Sequence, residues 1–139
     1  MSDGLYAKSI KAFEDGDIDL LVNTVKVELV DTGLYTVSFS THEFRSDIPS
    51  GARLFESPAL SGKTTTGGVF NASPVVCASV PGGDTVGALV LYVDTGNAST
   101  DRIFAYIDTG AGLPYPTDGN DITITWDAGA SKIFAILGT

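Results

Sequence analysis

The stretch VKVELVDTGLYTVSF, residues 25–39, decides how this chain is read. Successive side chains of an extended strand point to opposite faces, so Val25, Val27 and Leu29 fall on one side and Lys26 and Glu28 on the other. Asp31-Thr32-Gly33 then supplies a turn, because Asp bonds back to nearby backbone N–H groups and Gly takes positive φ without strain. Tyr35, Val37 and Phe39 resume the alternation. The stretch therefore predicts a β-hairpin whose first strand is apolar on one face only.

Working outward, the same triplet recurs twice, as Asp94-Thr95-Gly96 after ALVLYV and Asp108-Thr109-Gly110 after IFAYI. Extended segments are expected at Arg53–Phe55, Ala59–Thr66, Val69–Asn71, Pro74–Val80, Val86–Val93, Arg102–Ile107, Ile122–Trp126 and Lys132–Leu137. Pro58 breaks the first and second of these apart and suits an edge or a bulge. Pro81-Gly82-Gly83-Asp84 is a further turn signal. Val86–Val93 is almost wholly apolar, as for a strand covered on both faces or lying at a subunit contact. Thr41–Gly51 carries turn formers and a proline, and reads as a loop. One helix precedes all this, over residues 3–15, capped by Ser2 or Asp3 and stopped at Gly16. Tyr6, Ile10 and Phe13 share one of its faces by spacing. The fold expected is mainly β: a single-domain antiparallel β-sandwich or barrel, of jelly-roll or immunoglobulin-like type, with one short N-terminal α-helix.

Bulk properties narrow the classes of function. A chain of 139 residues suits one domain, here 1–139. Cys77 is the only cysteine, which excludes an internal disulfide and a thiolate-built zinc site; its apolar setting makes it a small buried hydrophobe. No apolar run approaches the length of a membrane span, and the N-terminus has no leader-like segment, so a soluble protein made in the cytoplasm is expected. The net charge of −9 comes without clustered Lys or Arg, which argues against nucleic acid and anionic membrane as partners.

The motifs that carry chemistry fare poorly. Tyr106–Ala111 resembles the active-site turn of retroviral-type aspartic proteases, and Ile136-Leu137-Gly138 their later apolar-apolar-Gly element. Such enzymes pair two carboxylates around a shared proton. Only 28 positions separate Asp108 from Ile136, which leaves little room for a flap, and three copies of a natural turn suit architecture better than catalysis. His42 is the sole histidine, and Thr41 and Glu43 beside it give no metal-ligand spacing; it reads as a loop histidine with local hydrogen bonds. Asp15, Asp17 and Asp19 alternate as in calcium loops, but the central Gly and closing Glu are out of register. Asp118, Asn120 and Asp121 could supply oxygens to a calcium ion but read first as a hairpin turn. Gly62-Lys63-Thr64 ends like a phosphate loop but lacks the upstream Gly. Trp126 reads as core. Tyr115, between two prolines, either presents an aromatic ring to a partner or folds back onto its own sheet. No catalytic residue, cofactor or metal is expected.

Six segments, spread along almost the whole chain, carry a resemblance: IDLLVNTVKVELVDTGLYTV (18–37), THEFRSDIPSGAR (41–53), LSGKTTTGGVFNAS (60–73), ALVLYVDTG (88–96), RIFAYIDTGAGLP (102–114) and GNDITITWDAGASKIFAI (119–136). Together they resemble a family of small virion structural proteins of tailed bacteriophages. The resemblance implies a virion component without catalytic residues. Within that class the expectation is a capsid decoration, or cement, protein that stabilises the head shell through many modest contacts. Its partners would be the major capsid protein and copies of itself, as a trimer. A tail, baseplate or fibre-associated protein, contacting tail proteins, is the alternative. Candidate contact residues are Tyr6, Ile10 and Phe13 on the helix, His42 and Phe44 in the 41–51 loop, and Tyr115.

Overall fold

A computed structural model describes residues 4–65, 69–108, 113–126 and 134–135, with Val69, Phe134 and Ala135 described by backbone alone. The fold is mainly β, every strand pair is antiparallel, and a single short α-helix lies near the N-terminus. The elements in chain order are β1 (Gly4–Leu5), α1 (Ala7–Glu14), β2 (Val25–Val30), β3 (Arg53–Glu56), β4 (Val69–Phe70), β5 (Val75–Cys77), β6 (Thr85–Val86), β7 (Ala88–Val93), β8 (Ile103–Ile107), β9 (Tyr115–Pro116), β10 (Ile122–Ile124) and β11 (Phe134–Ala135). Two 3-10 turns, Arg45–Asp47 and Ser50–Ala52, interrupt the long connection before β3. The principal sheet runs β1-β8-β7-β2-β3, and three two-stranded pairs, β10-β5, β11-β4 and β6-β9, accompany it. The described strands close no barrel; the layering is sandwich-like.

β7 is the centre of the molecule, as its apolar run predicts. All six of its residues are buried. Leu89, Leu91 and Val93 face one cluster with Val25, Val27, Leu29, Phe104 and residues of β5 and β10. Ala88, Val90 and Tyr92 face a second cluster with Tyr6, Tyr35, Ile48, Ala52 and Tyr106. Burying both faces is what lets an unbroken apolar strand persist in water.

Several expectations are corrected here. The helix is Ala7–Glu14 rather than 3–15, because Gly4 and Leu5 are taken into the sheet beside Tyr106 and Ala105. Its cap position is Tyr6, without a side-chain cap bond. Gly16 does end it, at φ +82°. The buried face of α1 holds Ser9 and Ala12; Tyr6 precedes the helix and packs in the second cluster, Phe13 packs against the first and Ile10 is exposed, so the three share no common contact. The hairpin across Asp31-Thr32-Gly33 does not form. The triplet does turn the chain, with Gly33 N–H donating to Asp31 Oδ1 at 2.8 Å and Leu34 N–H to the Asp31 carbonyl at 3.1 Å. Both flanks of β2 are already occupied, by β7 and β3. Residues 35–40 therefore cross the sheet face, where Tyr35, Val37 and Phe39 pack into the second cluster. The second triplet does start a hairpin connection: it leads from β7 to β8, with Gly96 at φ +91° and its N–H on Asp94 Oδ1. The third is described only at Asp108, and Ile136–Gly138 lies outside the described residues. Lys132–Leu137 is described only as β11.

Candidate functional site

Glu28 is the residue that alternation misplaces. It lies on the face of β2 opposite Val27 and Leu29, yet it is only 1% exposed. The reason is Arg45, which the 41–52 segment carries over that face. Arg45 Nη1 donates to Glu28 Oε1 at 3.0 Å, its Nε donates to Asp101 Oδ2 at 2.8 Å, and its Nη2 lies 3.4 Å from Glu56 Oε1. The guanidinium also stacks over the Tyr92 ring, 4.9 Å from its centre. Asp101 is fully buried, and it accepts two further bonds, from Thr95 N–H at 2.7 Å and Thr95 Oγ1 at 2.8 Å. A planar guanidinium with five fixed donors can join several carboxylates where an ammonium joins one. Burial pushes the Glu28 carboxyl up to about 7 even with Arg45 beside it. Burial also works against the Arg45 charge, but Asp101 and Glu28 hold it firmly protonated.

The rest of the segment is fastened with equal care. Tyr35 Oη lies 2.9 Å from Tyr6 Oη and 2.8 Å from His42 Nδ1, and Ser38 N–H also donates to His42 Nδ1, at 3.2 Å. Burial raises the Tyr35 hydroxyl to about 12, so it acts only as a neutral hydrogen-bonding group. Asp47 accepts the backbone N–H groups of Glu43 and Phe44, and these bonds hold its carboxyl below the ordinary range despite partial burial. Arg102 pairs with Glu43 at 2.8 Å and lies over the Phe44 ring. Backbone bonds join Arg45 N–H to the Asp101 carbonyl and Ile103 N–H to the Glu43 carbonyl. The 41–52 segment is thus a braced cap on the sheet and not a free arm.

This placement sorts the six contact candidates. Tyr6 is fully buried and belongs to the core, a correction to its reading as a surface residue. Phe13 packs edge-on against Phe104. His42 and Phe44 are half-buried members of the cap. Tyr115 is drawn into β9 opposite Val86 and packs against the first core cluster, so the folded-back alternative holds. Ile10 is the member of the six that stays exposed. Sequence reasoning missed the most exposed apolar pair, Leu21 and Val22, which are 53% and 78% exposed. They ride on a turn whose shape is fixed: Asp19 Oδ1 accepts Leu21 N–H and Val22 N–H, Asp19 N–H donates to Asn23 Oδ1, and Lys63 Nζ donates to the Asn23 carbonyl. The readable signal was the Asp19-Leu20-Leu21-Val22-Asn23 run, three apolar residues with turn chemistry at both ends.

The acidic motifs are mostly engaged in local structure. Asp15 pairs with Lys11, Asp118 accepts Asn120 N–H, and Asp121 accepts Ser79 N–H. Among the described residues, no group of three His, Cys, Asp or Glu is arranged to hold a metal ion. Cys77 is buried, and its thiol is pushed up to about 11. Of the three repeated aspartates, Asp31 follows β2 and Asp94 follows β7. Those strands pair antiparallel from Val25↔Val93 to Val30↔Ala88, which sets the two at opposite ends, about 20 Å apart at strand rise. Asp94 also pairs with Lys26 at 3.0 Å. Asp108 follows β8 at the Asp31 end, in an open cleft with Thr32, Tyr35 and Tyr106, which Asp31 does not line. No protein-family model matches the chain, and no curated protein matches it.

Proposed function

We propose that this protein is a non-enzymatic structural subunit of a tailed-phage virion, and specifically a capsid decoration protein that binds the head shell and acts with copies of itself. The observation that carries the reading is the fixed turn at 19–23, which holds Leu21 and Val22 out into solvent on an acidic protein. Paired exposed apolar side chains on a rigid support lose little entropy on docking, and their burial supplies the gain. The other polar clusters support it too, since Glu28, Arg45, Asp101, His42 and Tyr35 are engaged in bracing a shape. A tail-associated role rested on an exposed ring at Tyr115, and that ring packs against the core. Purified protein added to undecorated capsids should raise their resistance to heat and chaotrope. Val22→Asp should remove that effect while leaving the protein's own stability within about 0.5 kcal/mol of wild type. Unchanged capsid resistance with wild-type protein would reject the decoration role.

A further inference from the structure

The outer edge of β3 has features that point to a second copy of this chain. β3 ends the principal sheet, with β2 on one side and no described strand on the other. Ala52 and Ser57, which flank it, direct backbone groups toward the β2 side: Asp31 N–H donates to the Ala52 carbonyl at 2.9 Å, and Ser57 N–H to the Val27 carbonyl at 2.8 Å. Because those directions alternate along a strand, Glu56 directs its N–H and C=O groups to the open side and Arg53 its C=O, while the Arg53 N–H is taken by the Ser50 carbonyl. The register shift between Leu29 and Val30 places Arg53 opposite Val30 and Glu56 opposite Glu28, so both side chains lie on the same sheet face although they are three positions apart. Without that bulge they would lie on opposite faces.

Arg53 is also a cation without an ion-pair partner among the described residues, although its charge reaches the Glu28 carboxyl. Its Nε is buried and has no hydrogen-bond partner among the described residues, and it enters no ion pair there. Glu56 is half exposed and meets Arg45 and Tyr92 through Oε1 alone, leaving Oε2 unengaged among the described residues. We propose that β3 pairs antiparallel with β3 of a second copy about a twofold axis, each Arg53 facing the partner's Glu56. The sequence Arg53-Leu54-Phe55-Glu56 is self-complementary in that register: Arg opposes Glu, Leu opposes Phe, and both relations repeat across the axis, as an isologous contact requires. β3 carries one charge of each sign, so a second copy meets opposite charge in this register, and Pro58 lies beyond the strand. The pairing is twofold and does not depend on the decoration role.

The test is the oligomeric state of the full chain by light scattering, with far-UV circular dichroism as the check on folding. Wild type should be a dimer. Arg53→Glu sets like charges opposite each other at two places and should weaken the dimer at least about tenfold; Arg53→Glu with Glu56→Arg should restore it. Because Glu56 also touches the Arg45 brace, a second arm avoids reversing its charge: Arg53→Cys with Glu56→Cys should give a disulfide-linked dimer on mild oxidation. A folded wild type that stays monomeric at every concentration reached, or a trimer whose paired cysteines do not cross-link between chains, overturns the proposal.

Discussion

Replacing Arg45 with Met should be the most costly single change in the cap. Met keeps most of the apolar stem that covers Tyr92 but removes the guanidinium. Glu28 and Asp101 are then buried without their cation, and removing one partner of a buried pair costs about 3–5 kcal/mol. The half-exposed Glu56 adds no more than about 1 kcal/mol. The lost stacking on Tyr92 adds about 1 kcal/mol. Asp101 keeps its two bonds from Thr95, which offsets part of the loss. The sum is about 4 kcal/mol, a large share of the roughly 5–15 kcal/mol that holds a domain folded. In a chain of this size it should lower Tm by about 15 °C. Urea unfolding followed by circular dichroism at pH 8 and pH 5 gives the comparison. At pH 5 wild-type Glu28 is already protonated, so the deficit there should be smaller. A loss below about 1 kcal/mol at pH 8, or the same loss at both pH values, would refute the assignment of Arg45 as the brace.

Glu28→Gln isolates the same buried carboxyl by pH. Its folded value of about 7 lies above its ordinary value of 4.5, so the folded state holds the proton more tightly than the unfolded chain. Its contribution is full below pH 4.5 and is lost as pH rises to 7, by no more than about 3 kcal/mol; the Gln variant should lack that downward slope in a stability–pH series. Tyr35→Phe removes the hydroxyl between Tyr6 and His42 and should cost about 1–3 kcal/mol by urea titration, since it strands a fully buried partner. Gly87→Ala places a methyl group onto Thr32 Oγ1 and against Thr32 Cβ. It should lower stability by about 1–3 kcal/mol, and Thr32→Ala in the same chain should recover most of that; no recovery would detach the first triplet from the start of β7.

The parts of the fold legible in the sequence are those set by local pattern. β2 and β7 announce themselves by alternation and by an unbroken apolar run, and Gly16 and the Asp94–Gly96 turn act through backbone chemistry that reads locally. What was not legible is pairing. Asp31-Thr32-Gly33 has the chemistry of a hairpin turn, but whether the chain returns depends on which strands already flank β2, and those come from residues 53–56 and 88–93. Glu28 misled for the same reason. A charged residue in alternation signals solvent unless an arginine from elsewhere covers it, and Arg45 is 17 positions away in a segment that looks like a loop. Tyr6 sat at helical spacing from Ile10 and Phe13, but β1 captures the chain just before it and turns its ring into the second cluster. On the contact surface, charge and aromatic content drew the eye to His42, Phe44 and Tyr115, while Leu21 and Val22 were lost among many apolar residues whose exposure depends on the tertiary fold.

The cap also explains where contacts have to be made. With β7 buried on both faces, the sheet has no broad apolar face left to offer a partner among the described residues. What the chain presents instead is local: a turn tip with two apolar side chains, and an edge strand with one cation that has no ion-pair partner among the described residues. Such contacts are individually modest, because each buries little area. In the proposed dimer their strength would come from repetition, since linking two tips would make the second docking event intramolecular. A strongly negative exterior suits that arrangement, because it opposes indiscriminate clumping and leaves short, shaped contacts to decide what binds. The internal ionic brace then acts through geometry: by holding the 41–52 segment on the sheet, Arg45 keeps Glu56 in place beside the β3 edge that faces outward.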